Sequence, residues 1–259
     1  MATMSALDPL AMFRLDGKTA IVTGASSGLG VRFARVLHAV GANVVVAARR
    51  GDRLAALVAD LPGSVAVAAD LSLPDDRERL VAATIDRFGS VDVLVNNAGV
   101  GHKVAVEDED LDTFRLAMEV NVTAVWHLSK LCAPSMIAAG GGSIVNVASM
   151  LGYVASAPVK QAHYCASKGA VVNLTRELAV QWARKGVRVN ALCPGWFRSE
   201  MTAGMDTDEG SLRFIGQMSP IPRMGEEHEL DAALLLLAWS GSTFITGQSI
   251  IVDGGWTAR

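Results

Sequence analysis

Metal-binding, disulfide-bonded and nucleic-acid-binding proteins share features that this sequence lacks. It contains only three cysteines, Cys132, Cys165 and Cys193, and no C-x-x-C pair. This spacing suggests neither a zinc site nor a disulfide framework, so we expect no metal and a reducing, cytoplasmic location. The formal net charge of −3 gives the chain no electrostatic attraction to nucleic acid or to an anionic membrane.

Long apolar runs and a leader pattern are missing as well. The apolar stretch 232–239 is far too short to cross a bilayer. Residues 1–15 have no basic start before an apolar run, so they do not read as a secretory signal, and we expect them to form an N-terminal arm. Apolar residues make up 51% of the 259 residues, which is enough for the core of one large domain or two small ones.

Short apolar strands alternate with longer helical patterns along the chain. The predicted strands are residues 19–23, 43–48, 65–69, 91–95, 143–147, 187–192 and 249–252. The predicted helices between them are residues 28–40, 75–88, 111–139 and 162–185. Strands that are apolar throughout favour a parallel sheet covered on both faces. We therefore predict an α/β fold, a single doubly wound Rossmann domain over residues 16–259, with a parallel sheet of about seven strands and helices on both faces.

Residues 196–225 interrupt this alternation. The segment carries Met, Gly, Ser and Pro residues with weak periodicity. In an α/β enzyme such a segment forms a lid over the site, and the alternative is an ordinary surface excursion.

A glycine-rich loop joins the first predicted strand to the first predicted helix. Glycines at this place let the backbone turn sharply and approach a ligand closely, and the helix N-terminus attracts a phosphate. The pattern is G-x-x-x-G-x-G rather than G-x-G-x-x-G, and its position in a βαβ series indicates dinucleotide binding. The predicted binding residues are Gly24, Ser26, Ser27, Gly28, Leu29 and Gly30.

The end of the second strand carries two arginines and no acid. An acidic residue there would bind both ribose hydroxyls of NAD and repel a 2′-phosphate. Arg49 and Arg50 instead offer guanidinium groups that can pair with that phosphate. We therefore predict NADP(H) over NAD(H), and the alternative is that one or both arginines begin a solvated helix.

Further motifs follow the glycine loop in order. They are Asn96-Asn97-Ala98-Gly99 after the fourth strand, Asn121 in the long helix, Ser149 at the end of the fifth strand, Tyr164 and Lys168 as a Y-x-x-x-K pair, and Pro194-Gly195 after the sixth strand. Over nearly the whole chain the sequence resembles the classical short-chain dehydrogenase/reductase family, and within it the 3-oxoacyl reductase-like branch.

The spacing of Tyr164 and Lys168 has a chemical meaning. Residues four apart lie on one helical face, and a lysine charge beside the phenol is expected to lower the tyrosine pKa. Such a tyrosine works as a general acid or base near neutral pH. The resemblance further implies that Ser149 hydrogen-bonds the substrate oxygen, that Lys168 also holds the nicotinamide ribose, and that Asn121 holds a water in a proton relay. A solvated helix face and a strand-end cap are the alternatives for the Tyr164–Lys168 pair and for Ser149.

The resemblance implies additional cofactor contacts. These are Asp70 and Leu71 after the third strand, Asn97, Ala98 and Gly99 in the NNAG motif, and Pro194, Gly195, Phe197 and Ser199 after the sixth strand. Ser199 stands where many relatives carry threonine, and Thr202 is a competing candidate for that contact. We interpret His163 as structural or at the rim, and His102 as a residue at the pocket edge.

The substrate wall is expected to be apolar and adaptable. Its candidates are Met150, Leu151, Val154, Trp196, Met201, Met205 and Phe214, of which half would be ordinary core on a structural reading. The predicted function is an NADP(H)-dependent carbonyl reductase or alcohol dehydrogenase acting on a ketone or a 3-oxoacyl-type substrate, with Tyr164 as the general acid/base. Alternatives are a sugar or polyol dehydrogenase of the same family and a non-catalytic NADP(H)-binding redox sensor. The family is mostly tetrameric, so a homotetramer is expected.

Overall fold

The structure is a computed structural model that describes residues 13–156, 158–205 and 207–259. Most of the predicted N-terminal arm therefore lies outside the described residues. Leu15, near the end of that arm, is buried in the core, and its backbone N–H donates to the Val40 carbonyl at 2.8 Å.

Seven parallel strands form one sheet in the order β3-β2-β1-β4-β5-β6-β7. The strands are β1 (Thr19–Thr23), β2 (Asn43–Ala48), β3 (Val65–Ala68), β4 (Val93–Asn96), β5 (Gly142–Val147), β6 (Val187–Pro194) and β7 (Ser249–Val252). The order reverses direction beside β1, which pairs with both β2 and β4. Such a reversal opens a crevice at the carboxyl ends of the strands, where ligands of doubly wound sheets bind.

Helices cover both faces of this sheet. They are α1 (Gly28–Ala39), α2 (Gly51–Ala59), α3 (Pro74–Phe88), α4 (Leu111–Met118), α5 (Ala124–Ala138), α6 (Ala162–Trp182), α7 (Glu209–Met218) and α8 (Asp231–Ala238). Side chains from α1, α2 and α8 share one hydrophobic cluster, and side chains from α3, α5 and α6 share another. Successive residues of β1 contribute alternately to the two clusters, because side chains alternate across a strand. The doubly wound Rossmann prediction is confirmed.

Several element boundaries differ from the sequence prediction. The predicted helix 111–139 is interrupted by a π-helix, Glu119–Thr123, between α4 and α5. Strand β4 begins at Val93 and not at residue 91, while β6 continues to Pro194 because it pairs with β7 as far as Pro194 and Val252. Helices α2, α7 and α8 were not predicted. Helix α2 begins directly after Arg50, as the alternative interpretation of the two arginines proposed.

Within the described ranges, every helix is too short or too polar to span a membrane. The same ranges contain no cluster of His, Cys, Asp and Glu side chains that would hold a metal ion.

Candidate active site

A cavity of about 550 Å³ lies at the carboxyl ends of the central strands. It begins at the loop between β1 and α1, passes the ends of β2 and β3, and ends beside α6. The catalytic and cofactor residues predicted from the sequence that line it are Gly24, Ser26, Ser27, Gly28, Leu29, Gly30, Arg49, Arg50, Asp70, Leu71, Asn97, Ala98, Gly99, Ser149, Tyr164, Lys168, Pro194, Gly195, Phe197 and Ser199. The fold thus brings residues from many parts of the chain to one elongated site.

The glycine loop is packed too tightly for side chains. A Cβ on Gly30 would lie 2.3 Å from the Gly24 carbonyl oxygen, and a Cβ on Gly24 would lie 2.8 Å from Ala98 Cα. Gly24 and Gly28 also have positive φ angles of +66° and +50°, which glycine adopts without strain. Bare backbone at the start of α1 can therefore approach a pyrophosphate closely, so these residues fit a dinucleotide.

The NNAG motif buttresses this loop. Asn97 Nδ2 donates to the Thr23 carbonyl at 2.9 Å, and the Ala98 backbone N–H donates to Thr23 Oγ1 at 3.0 Å. After the edge strand β3, the Asp70 carboxylate accepts from the Ser72 backbone N–H and hydroxyl, which fixes the turn there. The hydrogen bonds of the NNAG motif to Thr23 therefore hold the start of the glycine loop in place.

The arginines lie at the far end of the cavity. Arg49 is exposed there, while Arg50 folds over the glycine loop and donates to the hydroxyls of Ser26 and Ser27. Arg50 also pairs with Glu200, at 2.8 Å, and Arg53 of α2 pairs with the same carboxylate. The sequence analysis missed Glu200 and Arg53, because no local pattern joins positions so far apart in the chain.

Tyr164 and Lys168 lie on one face of α6, as their spacing predicts. Lys168 Nζ is 5.5 Å from the centroid of the Tyr164 ring and donates to the Val147 carbonyl at 2.7 Å. Burial raises the pKa of Tyr164 to about 12, although a hydrogen bond with Ser149 acts to lower it. Burial also lowers the pKa of Lys168 to about 8. The expectation that Lys168 lowers the pKa of Tyr164 is wrong for this arrangement, because desolvation of the phenol dominates.

Ser149 begins the short 3-10 helix Met150–Gly152 after β5. Its Oγ accepts from the Leu151 backbone N–H at 3.1 Å, so the hydroxyl caps this turn while it faces the cavity. The cap proposed as an alternative is therefore present, and it fixes the hydroxyl beside Tyr164 rather than removing it from the site.

Asn121 is fully buried within the π-helix and clamps the loop after β4. Its Oδ1 accepts from the Val100 N–H at 2.8 Å, and its Nδ2 donates to the Val100 carbonyl at 2.9 Å and to Ser167 Oγ at 2.9 Å. A Cβ on Gly99 would lie 3.3 Å from Asn121 Oδ1 and 3.6 Å from Lys168 Nζ. The side chain of Asn121 thus positions the loop beside Lys168, and the proton relay stays a prediction.

His163 is fully buried and not at the rim. Its Nε2 accepts from the His102 backbone N–H at 3.0 Å, and its Nδ1 faces Glu109, which is also buried. These contacts hold the loop Gly99–His102 against Tyr164, since a Cβ on Gly101 would lie 2.8 Å from Tyr164 Cδ2. The structural interpretation of His163 is confirmed, while Glu109 was missed because no local pattern marks it.

Most residues of the predicted substrate wall lie in a hydrophobic cluster beside the cavity and not in the cavity lining. Met201 lines the cavity and is 43% exposed. Met150, Leu151, Trp196 and Met205 are instead buried in one hydrophobic cluster with Ile215, Met224 and Trp256, and Val154 and Phe214 pack against it. Tyr164 packs against the same cluster, so these four residues lie beside the cavity without being among the residues that line it, and their contact with substrate stays a prediction.

The segment after β6 closes over the glycine loop. Ser199 caps the 3-10 helix Glu200–Thr202 in a reciprocal pair with Thr202, whose Oγ1 donates to the Phe197 carbonyl at 2.7 Å. A Cβ on Gly28 would lie 3.2 Å from Ser199 Cβ, so this turn approaches the start of α1. Both Ser199 and Thr202 line the cavity.

Comparison with known proteins extends this picture. A family model described as enoyl-(acyl carrier protein) reductase matches residues 24–257. Galactitol 2-dehydrogenase (L-tagatose-forming) of Cereibacter sphaeroides is 39% identical over 97% of this chain and 99% of its own length. Gluconate 5-dehydrogenase of Gluconobacter oxydans is 36% identical over 95% of this chain and 97% of its own length.

Solved structures are similar over the same extent. A short-chain type dehydrogenase/reductase from Mycobacterium marinum has a TM-score of 0.91 and 35% identity, and the match covers 96% of this chain and 99% of that chain. A gluconate 5-dehydrogenase from Burkholderia cenocepacia in complex with NADP and tartrate has a TM-score of 0.91 and 31% identity, over 97% of this chain and 100% of that chain.

Proposed function

The chain belongs to the classical short-chain dehydrogenase/reductase family of oxidoreductases, and we propose that it interconverts a secondary alcohol and a ketone on a polyhydroxylated substrate, with NADP(H) as its cofactor. The observation that carries the proposal is the single cavity in which Ser149, Tyr164 and Lys168 face one end and the glycine loop with Arg49 and Arg50 forms the other. This arrangement supports cofactor binding along the cavity with the chemistry at the end beside Tyr164.

The proposed chemistry follows from the protonation state of Tyr164. When bound, the nicotinamide cofactor accepts a hydride in alcohol oxidation and donates one in carbonyl reduction. With a pKa of about 12, the phenol of Tyr164 is protonated at neutral pH and is ready to give its proton to the carbonyl oxygen in reduction. Oxidation requires the phenolate to take the hydroxyl proton, and the Ser149 hydroxyl hydrogen-bonds the same substrate oxygen.

Two findings favour a hydroxylated substrate over the apolar ketone expected first. The named relatives act on galactitol and on gluconate, which carry several hydroxyl groups. In addition, Met150, Met205 and Trp196, which suggested an apolar wall, are buried in a cluster beside Tyr164 and are not among the residues that line the cavity. The lining includes the polar Ser149 and the exposed His102, together with the apolar Val100, Leu116, Val120 and Met201. Hydroxyl and imidazole groups can hydrogen-bond a polyol.

The cofactor preference rests on the charges at the ribose end. Arg49, Arg50 and Arg53 lie at or beside the end of β2, where the two residues directly after the strand are arginines and not acids. Guanidinium groups pair with phosphate in bidentate geometry. The solved Burkholderia neighbour was crystallised with NADP, which supports the use of NADP(H) here.

A second candidate is a 3-oxoacyl-type reductase. The description of the matching family model, enoyl-(acyl carrier protein) reductase, names an acyl substrate, although that reaction reduces a C=C bond and not a ketone. The turn before β5, residues 138–142, contains no basic side chain, so a bulky acidic carrier protein has no charged partner there. A free ketone or a small thioester would fit this candidate better. We also propose, from the family, that the protein is a homotetramer and that residues 196–225 act as a lid.

Turnover assays with a tyrosine pair test the proposal. NADP⁺ reduction is followed with galactitol, gluconate and other polyols, and NADPH oxidation with ketones and 3-oxoacyl thioesters. Tyr164→Phe should lower kcat by at least about 100-fold, since it removes the general acid/base. Tyr153→Phe changes the chain's other tyrosine, which is 39% exposed and outside the cavity lining, and should leave kcat unchanged.

The assay separates the candidates. Turnover of at least one polyol supports the primary proposal, whereas turnover of 3-oxoacyl thioesters alone establishes the second candidate. Cofactor binding without turnover of any compound would favour the redox sensor. Equal activity of the Tyr164→Phe variant and the parent would overturn the role of Tyr164.

A further inference from the structure

Glu200 reaches from the segment after β6 to the arginines at the ribose end of the cavity. Its Oε1 accepts from Arg50 Nη1 at 3.1 Å, and its Oε2 accepts from Arg50 Nη2 at 2.8 Å. Arg53 Nη1 donates to Oε1 as well. These contacts hold the pKa of Glu200 at about 2, with the hydrogen bond from Arg50 contributing most, so the side chain is a carboxylate at all working pH values.

The Arg50 guanidinium uses all three of its nitrogens in these contacts. Besides Glu200, it donates from Nε to Ser26 at 3.1 Å, and from Nη2 to Ser26 at 2.9 Å and to Ser27 at 3.0 Å. A phosphate that pairs with Nη1 and Nη2 of Arg50 in bidentate geometry needs the positions that the Glu200 oxygens hold. All four of these residues line the cavity.

Resting on the proposed use of NADP(H), we propose that Glu200 is a specificity-determining residue whose carboxylate occupies the 2′-phosphate position at Arg50 and Arg53. The 2′-phosphate of NADP(H) must displace this carboxylate to reach the two guanidinium groups. NAD(H) has no group that competes for them. Glu200 thereby weakens the binding of NADP(H) and not that of NAD(H). It therefore reduces the preference for NADP(H) that the arginines create.

The 2′-phosphate can displace the Glu200 carboxylate because the ion pairs of Glu200 with Arg50 and Arg53 are exposed to solvent. The side chains of Arg50, Arg53 and Glu200 are 40%, 47% and 50% exposed, and ion pairs in contact with water are weak. A phosphate dianion carries more charge than a carboxylate and offers more oxygen acceptors. Displacement breaks the hydrogen bonds of Glu200 with Arg50 and Arg53, while the contact of Ser199 with Gly28 remains.

The chain offers a matched control in Glu226. It lies in the same stretch after β6, pairs with Arg198, and is 47% exposed, against 50% for Glu200. Glu226 is not among the residues that line the cavity. Glu226→Gln thus removes one negative charge and one ion pair of similar exposure without touching the ribose end.

Calorimetric titration of NADP⁺ and NAD⁺ into the parent protein, Glu200→Gln and Glu226→Gln tests the proposal. We expect Glu200→Gln to bind NADP⁺ about tenfold more tightly, because repulsion of the phosphate is removed, and to bind NAD⁺ within twofold of the parent. Glu226→Gln should bind NADP⁺ and NAD⁺ with the same affinities as the parent protein. Thermal unfolding of each variant checks that these exposed substitutions leave the fold intact.

The outcomes separate this proposal from the proposed function. An equal change for both cofactors in Glu200→Gln, no change, or weaker NADP⁺ binding would overturn the role of Glu200. An equal gain in NADP⁺ affinity in Glu226→Gln would show a general effect of net charge, and it would also overturn the role of Glu200. A parent protein that prefers NAD⁺ contradicts the proposed cofactor preference alone, because the ratio of the two affinities in Glu200→Gln still reports on Glu200.

Discussion

At the residue scale, the protonation state of Tyr164 determines how the rate of the proposed reaction depends on pH in each direction. The pKa of about 12 results from burial of the phenol, and the hydrogen bond with Ser149 opposes this rise. A group with such a pKa carries its proton at neutral pH, and its basic form is then a very small fraction. Reduction therefore uses the form that dominates, while oxidation uses the form that appears only as the pH rises.

The first prediction is a difference between two pH profiles. The kcat of alcohol oxidation should increase with pH above neutrality, by up to tenfold per pH unit, since each unit raises the phenolate fraction by that factor. The kcat of ketone reduction should stay level between about pH 6 and 9, because the phenol remains protonated. Steady-state rates in both directions over this range measure the two profiles.

Ser149 provides the control for this interpretation. Ser149→Ala removes the hydrogen bond that lowers the pKa of Tyr164, so its oxidation profile should shift to higher pH. Ser149→Thr keeps the hydroxyl and should keep the parent profile. Identical profiles for oxidation and reduction, or no shift in Ser149→Ala, would contradict the assignment of Tyr164 as the titrating group.

At the element scale, the π-helix Glu119–Thr123 places Asn121 next to the loop after β4. An ion pair anchors this turn to α3: Arg77 Nη2 donates to Glu119 Oε1 at 2.8 Å. The two partners differ in environment, since the side chain of Arg77 is 2% exposed and that of Glu119 is 35% exposed. Within the described residues, Arg77 Nε and Nη1 have no hydrogen-bond partner.

The second prediction is an asymmetry between two variants. Glu119→Gln leaves the buried charge of Arg77 without a counterion and should lower the free energy of unfolding by about 2 kcal/mol. Arg77→Met removes the buried charge together with the unpaired N–H groups, and water hydrates Glu119, so its cost should stay below about 1 kcal/mol. Urea unfolding of both variants measures the two costs. A larger loss in Arg77→Met would mean that the ion pair itself stabilises the turn.

The strands and the site residues show which parts of the structure the sequence can predict. Strands β1 and β2 have apolar residues at consecutive interior positions because both faces of the sheet are covered, so they and the doubly wound fold were predictable. The motif residues that the fold gathers around the cavity were predictable from their order. The contacts of Glu200 with Arg50 and of Glu109 with His163 were not, because they join distant segments that only the tertiary fold brings together.

The π-helix and the substrate wall show two further limits. A π-helix has nearly the same hydrophobic pattern as the α-helices that flank it, so 111–139 read as one helix. Met150 and Met205 are apolar whether they line a cavity or fill a core, and composition alone does not separate these places. The pKa of Tyr164 also depends on burial, which the Y-x-x-x-K spacing does not reveal.

At the scale of the whole molecule, helices α4, α5 and α6 expose apolar side chains on their outer surfaces. Leu111 is 60% exposed, Trp126 is 43% exposed and Val180 is 78% exposed. Exposed apolar side chains on neighbouring helices are typical of interfaces between subunits, and a two-fold axis makes such a face self-complementary. The proposed homotetramer would cover these helices.

The third prediction follows from this placement. Val180→Asp puts a charge on the outer face of α6, and burying it in an interface would cost free energy, so the variant should sediment as a smaller species than the parent. Val106→Asp is the matched control, because Val106 is 66% exposed but lies in the loop before α4. Sedimentation velocity of the three proteins at equal concentration measures the result. A monomeric parent protein would refute the proposed tetramer. A tetrameric Val180→Asp variant would show that the outer face of α6 is not part of the interface, because a packed apolar contact does not tolerate an unpaired carboxylate.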